Sequence, residues 1–397
     1  MSFDVVVVGG GPAGLCFARS LAGSGLRIAL VERQNESALS NPADDGREIA
    51  ITHHSRKLLG DLGVWQRLHA DEISILRDAK VINGNDHDGL MFRDTRSGAA
   101  QLGWLLPNHA IRRAAFASVA QLNEVSCISG VNVSATRRDH TGVHVELDSG
   151  ETLRAGLLVA ADSRFSETRR HAGISASMHD FGKTMLVCRM RHELPHAQTA
   201  WEWFAFGQTL ALLPLHDAHT SSVVLTLEPQ QMKAFLALDD AQLGAQMRRR
   251  FQGRLGDMSV AGPRCAYPLV GVYARRFVSE RLALIGDAAV GMHPVTAHGF
   301  NFGLLGQATL ARQIREAHAN GIPIWDPRVL RGYARKHRRD TLPLYLATQM
   351  LATLYTDDRR PARVVRKLAL VAGSHLKPFQ RMIVNRLTHA GGVVSAG

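Results

Sequence analysis

The sequence predicts an α/β protein with one parallel-sheet domain, a second domain built on a mixed β-sheet, and a helical C-terminal segment. Three observations carry this. The apolar run of residues 5–8 leads directly into a glycine-rich turn and a helix with an apolar face, the pattern of a strand buried on both sides. Two further apolar runs, residues 157–161 and 281–285, each end at an aspartate. Residues 184–190 and 221–227 suit antiparallel strands, and the chain turns helical after Asn301.

The first turn reads Gly9-Gly10-Gly11-Pro12-Ala13-Gly14. Gly9 permits a tight exit from the strand, Gly11 lets backbone approach a pyrophosphate, and Gly14 lets the helix pack closely on the sheet. The helix N-terminus offers unpaired N–H groups and partial positive charge to phosphates, with Pro12 and Ala13 in its first turn. Gly25 ends the helix, residues 27–31 form a second strand, and Glu32 closes it eighteen residues after Gly14. A carboxylate there accepts hydrogen bonds from both ribose hydroxyls and repels a 2′-phosphate. Residues 4–32 thus form a complete Rossmann unit, with Arg33 a further candidate contact. The unit alone does not separate FAD from NAD.

The later motifs choose between them. Asp162-Ser163-Arg164 follows the strand at 157–161, Gly286-Asp287 follows the strand at 281–285, and His293-Pro294-Val295-Thr296-Ala297-His298-Gly299-Phe300-Asn301 follows that. The set resembles the flavin-dependent aromatic hydroxylases with one Rossmann domain, the p-hydroxybenzoate hydroxylase-like group. The resemblance implies FAD. It implies that Asp287 binds a ribityl hydroxyl and that Pro294, Gly299, Phe300 and Asn301 present a helix N-terminus to the flavin. A positive helix end there would stabilise anionic reduced flavin. It further implies cofactor contacts from Arg47, Arg112 and Asp162. Ser163 departs from the family, which has glycine at that position, where a backbone approaches closely or φ is positive. The implied domains are an FAD-binding domain of residues 1–75, 108–180 and 271–310, a substrate domain of residues 76–107 and 181–270, and a basic helical region of residues 311–397.

Ala200-Trp201-Glu202-Trp203-Phe204, Leu210-Ala211-Leu212-Leu213-Pro214-Leu215 and Tyr267-Pro268-Leu269 narrow the resemblance to the ubiquinone-biosynthesis hydroxylases, and Asp162-Ser163-Arg164-Phe165-Ser166 with the segment from His293 to Asn301 is most similar to the 5-demethoxyubiquinol 5-hydroxylase branch. The implied substrate is a polyprenylated phenol or quinol. NAD(P)H and O₂ are the co-substrates, and a C4a-hydroperoxyflavin delivers oxygen to the ring. No second GxGxxG appears for NAD(P)H. His293 and His298 flank Pro294, and either one assists phenol deprotonation or both only bond within the loop. Three rivals remain: a hydroxylase of another small phenol, a prenyl-chain reductase of the same superfamily, and a non-catalytic FAD-binding subunit of a biosynthetic complex. Trp201-Glu202-Trp203 begins like a flavin-halogenase signature but continues differently.

The chain has 397 residues and a net charge of +12. Residues 309–397 hold 16 Lys/Arg against 5 Asp/Glu, so nearly all the excess lies there. Proline at 327, 343, 361 and 378 divides this region into short helices. It is expected to cap the FAD domain or to meet an anionic bilayer or a lipid-handling complex. With few aromatics and no known module it is not expected to bind nucleic acid. Cys16, Cys127, Cys188 and Cys265 are scattered, which fits separate thiols in a reducing cytosol, and no metal-type spacing is found. The start of the chain does not read as a signal peptide, and no apolar run reaches transmembrane length. The expected location is cytoplasmic, including the inner membrane face.

Overall fold

A computed structural model describes residues 1–84, 89–93, 101–205 and 208–356. Five strands form the parallel sheet. In spatial order they are Leu282–Leu284, Thr152–Ala160, Ser2–Val8, Ile28–Glu32 and Val125–Ser129, with Val278–Ser279 pairing antiparallel at one edge. Val5, Val6 and Val7 are fully buried, as are Leu157 and Val159, so these strands have no solvent face and need no polar alternation. An antiparallel hairpin, Val133–Asp139 and Gly142–Leu147, extends from the strand Thr152–Ala160. The helices Pro12–Leu21 and Gly299–Ala319 pack beside one another on the sheet. Ser20 Oγ donates to Gln307 Oε1 at 2.9 Å across their contact.

The second large sheet is mixed. Its order is Val290–Gly291, Met258–Ala274, Ala176–His192, Thr220–Leu227, Gln208–Pro214, Thr199–Ala205, Asp78–Asn83 and Leu90–Phe92. Only the pairing of Thr199–Ala205 with Asp78–Asn83 is parallel. Alternation sorts its two faces. Leu186, Cys188, Leu210, Leu212, Trp203, Val223, Leu225 and Ile82 point to a core shared with Met232, Phe235, Leu243 and Met247 of the helices Pro229–Leu236 and Asp240–Arg250. The intervening residues, among them Val187, Arg189 and Val224, point toward the parallel-sheet body. This face forms a roof. Between roof and body lies a small sheet ordered Glu48–Ile51, Gly103–Pro107, Ser74–Leu76.

The prolines do not divide the basic region as the sequence suggests. Pro327–Thr356 is one helix with Pro343 inside it. Proline removes the bond to the carbonyl of Arg339, but both residues are exposed, so water can serve that carbonyl. Tyr333, His337, Thr341 and Tyr345 are buried along one face and hold the helix across the break. Tyr333 donates its hydroxyl to Leu284 O at 2.6 Å, tying this helix to the strand that leads into Gly286. Pro361 and Pro378 lie outside the described residues. Among those described, no helix is long and apolar enough to cross a membrane.

Candidate functional site: a cofactor groove under a sheet roof

At the adenosine end, close packing explains the glycines. A Cβ on Gly14 would lie 2.0 Å from Gly9 O, and one on Gly9, where φ is 112°, would lie 2.5 Å from Ala161 O. A Cβ on Gly11 would meet nothing within 4 Å. Gly11 thus borders open space, and the helix Pro12–Leu21 begins there without a side-chain cap. Its first N–H groups are free for an anion. Glu32 Oε2 accepts from Gly10 N at 2.6 Å, and Oε1 accepts from Gln34 N at 3.0 Å. The two backbone donors orient the carboxylate and leave lone pairs for ribose hydroxyls. Arg33 is exposed beside it, and Arg112 donates to Gln34 Oε1.

The sheet brings the distant motifs to this turn. Val8 pairs with Ala160 and Ala160 with Leu284, so all three strands end on one rim. A Cβ on Gly286, where φ is 59°, would lie 2.9 Å from Ala13 Cβ. The fingerprint and the Gly-Asp segment therefore touch, although some 270 residues separate them. Asp287 pairs with Arg164 (Nη2 to Oδ2, 3.0 Å), and Arg164 Nη1 donates to Val270 O in the roof sheet. Arg169 is 2% exposed and donates from Nη1 to Arg164 O and Ala288 O, locking the two segments together. The Asp162 carboxylate accepts from Ser166 Oγ at 2.5 Å and Thr168 N at 3.1 Å, so it braces the turn into the helix Glu167–His171. Ser163 has φ 105° and thus occupies a conformation suited to the family's glycine.

The roof closes on the body through charge. Asp45 Oδ2 accepts from Arg47 Nη2 at 2.6 Å and Asn108 Nδ2 at 2.7 Å, and Tyr267 donates its hydroxyl to Asp45 O at 2.8 Å. The Arg47 guanidinium lies 5.5 Å from the Tyr267 ring centre. Burial opposes its charge, but Asp45 outweighs that and holds its pKa above the usual value, with Tyr267 and Asp287 adding to the effect. Glu48 Oε1 accepts from Arg189 Nη2 at 2.9 Å, while Arg189 Nη1 pairs with Asp44 at 3.2 Å. Glu48 Oε2 is buried without a partner among the described residues, and burial pushes this carboxyl up to about 7 against the pull of Arg189. Sequence reasoning gave no site role to Asp45, Glu48, Arg164, Arg189 or Tyr267. No local pattern assigns one, even where Arg164 and Tyr267 stand within family-like motifs, because each finds its role in a partner from another element or across a turn.

The flavin loop is short and bent. Pro294–Thr296 form a 3-10 turn, Ala297 has φ 53°, and the helix Gly299–Ala319 follows without a side-chain cap. His293 Nδ1 accepts from Val295 N at 3.1 Å, which puts the proton on Nε2. That Nε2 is buried without a partner among the described residues. Burial first, then Arg164 and His179, lowers the His293 pKa to about 4, so the ring is neutral at ordinary pH. His298 is buried at the helix start. Gly299 and Phe300 are partly buried in the first turn. Asn301 is 2% exposed and its amide is fully engaged. Oδ1 accepts from Thr52 N at 3.2 Å, and Nδ2 donates to Ala50 O and Ala297 O. It pins the helix terminus to the small sheet. An apolar cavity separates this loop from that sheet, with Ala50, Ile51, Ala79, Leu102, Ala297 and His298 on its walls.

These features fit FAD: an open glycine face at an uncapped helix start, an oriented acid for ribose, a second acid three strands along the sheet from it, and a second uncapped helix start.

Comparison with known proteins agrees. Residues 2–321 match the family model described as FAD binding domain. The ubiquinone hydroxylase UbiM of Neisseria meningitidis is 46% identical over 97% of this chain and 84% of its own length. The ubiquinone hydroxylase UbiL of Rhodospirillum rubrum is 33% identical over 99% of this chain and 90% of its own. Among solved structures, p-nitrophenol 4-monooxygenase PnpA from Pseudomonas putida superposes with a TM-score of 0.78 at 19% identity, covering 96% of this chain and 97% of that one. The chain belongs to the FAD binding domain family and, within it, to the ubiquinone hydroxylases: it is an FAD-dependent monooxygenase.

Proposed function

We propose that this protein hydroxylates the aromatic ring of a polyprenylated phenol or quinol intermediate of ubiquinone biosynthesis, with C5 of 5-demethoxyubiquinol as the position. The observation that carries the reading is the apolar cavity between the flavin loop and the small sheet, where Ala297 and His298 face Ala50, Ile51 and Leu102. An electron-rich ring is held there by shape, and water is kept out. The relatives' names and the resemblance of residues 200–215 support the pathway; the C5 assignment rests on the resemblance of residues 162–166 and 293–301.

FAD, reduced by NAD(P)H, supplies the activated oxygen. The protein's residues do the remaining work. The helix start at Gly11 takes the pyrophosphate, Glu32 the adenosine ribose, and Asp287 a ribityl hydroxyl. Arg47 places positive charge beside Asp287. The helix start at Gly299, held by Asn301, puts a positive dipole end against the flavin. His293 offers Nε2–H as a donor and does not serve as a base through Nδ1, which is already engaged. His298, on the cavity wall, is the other candidate for assisting the phenol. Replacing each with Asn and measuring hydroxylation separates the two.

The decisive experiment is quinone profiling of a deletion strain. Accumulation of 5-demethoxyubiquinol is the expected result, and an unchanged quinone pool rejects the function. Peripheral contact with an anionic bilayer belongs to the same proposal. Leu346, Met350 and Leu351 are exposed on the C-terminal helix, whose earlier turns carry exposed Arg331, Arg335 and Arg339. Flotation with vesicles that is insensitive to anionic lipid and to salt rejects it.

A further inference from the structure

One carboxylate stands on the roof face that looks into the groove. Glu202 lies on the strand Thr199–Ala205, between Ala211 of Gln208–Pro214 and Val81 of Asp78–Asn83. Its flanking neighbours Trp201 and Trp203 pack with the core on the far side of the sheet, so Glu202 points the opposite way. The row across the sheet reads Val187, Val224, Ala211, Glu202, Val81. One acid is set among small apolar side chains.

The same face reaches the cavity beside the flavin loop. Ala79 lines that cavity and pairs with Ala200, which sits two residues before Glu202 on its strand. Two residues along a strand span about 7 Å and restore the same face. Glu202 keeps some accessible surface although protein surrounds it, as expected of a group at the floor of a cleft. Among the described residues its carboxylate enters no hydrogen bond and no ion pair. A carboxylate placed in apolar surroundings without a partner costs stability. A structural role gives no return for that cost, whereas a ligand hydroxyl does.

We propose that Glu202 is the roof-side acceptor for the phenolic hydroxyl of the ring being hydroxylated. This rests on the substrate class given above and adds the residue that reads the hydroxyl. In the step, the phenolic O–H bond breaks and a carboxyl O–H bond forms. The electron pair stays on the phenolic oxygen and raises electron density at the ortho and para ring positions, where an electrophilic oxygen attacks. Burial alone lifts the carboxyl to about 8. An ordinary carboxylate is too weak a base for a phenol, whose pKa is about 10, and the lifted group is much better matched to it.

The test uses the full-length FAD-loaded enzyme, wild type and Glu202→Gln, with two probes: a phenol carrying one ortho-prenyl group, and its O-methyl ether. Binding is read from the perturbation of flavin absorbance at pH 9. Glu202→Gln is expected to keep its FAD spectrum, lose about tenfold in affinity for the phenol, and change less than about twofold for the ether. The wild type is expected to gain turnover as pH rises through 8, and Glu202→Gln is expected to lose that rise. Equal weakening for both probes would mean that Glu202 only shapes the wall, and unchanged binding of both would mean that it does not meet the hydroxyl. Either result overturns the assignment and leaves the ring-hydroxylation reading standing. Failure of the wild type to bind either probe overturns the substrate class, and the role of Glu202 with it.

Discussion

The two ends of the groove are built by different means. The adenosine end is made from contiguous sequence and from backbone. Gly9, Gly11, Gly14 and Glu32 lie within one strand–helix–strand unit, and the hydrogen bonds that orient Glu32 come from Gly10 and Gln34 N–H groups. The flavin end is made from side chains brought together from far apart. Arg189 reaches Glu48 and Asp44 across some 140 residues, and Arg164 reaches Asp287 across 123. The difference shows where each end is vulnerable. Steric insertion breaks the first, and an unbalanced charge breaks the second.

Four experiments can break or sharpen that contrast. Gly14→Val has the largest expected effect. Its Cβ would collide with Gly9 O, a backbone atom that cannot swing aside, so the purified protein should lose bound FAD entirely, read as flavin absorbance per chain. Retention of stoichiometric FAD would show that the turn is not rigid.

Arg189→Met comes next. It leaves the buried Glu48 carboxyl and the partly exposed Asp44 without their roof partner, which costs about 1–3 kcal/mol in chemical denaturation. The double variant with Glu48→Gln should recover part of this. A single variant as stable as the wild type would mean that roof and body are held by apolar contact alone.

The pH dependence isolates the same pair. Burial raises the folded pKa of Glu48 to about 7, above the ordinary value of 4.5. A carboxyl raised in this way is stabilising while protonated, so its contribution is complete below about pH 4.5 and is lost as pH rises through 7. The wild type should therefore lose about 3 kcal/mol relative to Glu48→Gln between pH 4.5 and 8, from 1.36 kcal/mol per unit. Parallel stability curves for the two proteins would show that Glu48 titrates normally.

The smallest effect belongs to the Asp162-Ser163 turn, which lies between Gly9 and the Arg164–Asp287 pair and so joins the two ends. Ser163 holds φ 105°, a region that glycine occupies without strain. Ser163→Gly should stabilise the fold by about 1 kcal/mol, seen as a rise in Tm of the FAD-loaded protein. A fall would mean that the serine side chain has a bond worth more than the strain.

Some of this was written in the chain without its fold. Residues 4–32 specify their own unit, because a buried strand, a tight turn and a helix start are local demands on φ, on side-chain volume and on apolar periodicity. The Gly286-Asp287 and flavin-loop residues were legible only through resemblance, since a strand end followed by an acid is common. Tertiary structure decided the rest. It showed that Gly286 packs on Ala13, that Asn301 spends its amide on Ala50, Thr52 and Ala297, and that Asp162 braces a helix turn. It also kept the helix Pro327–Thr356 continuous past Pro343, where buried Tyr333, His337 and Tyr345 outweigh a lost hydrogen bond. Glu202 shows the division best. Its sequence neighbours identify a strand and a face, but only the pairing of that strand with Asp78–Asn83 turns the face toward the groove, because which side of a sheet meets a cofactor is fixed by the sheet's neighbours and not by the strand itself.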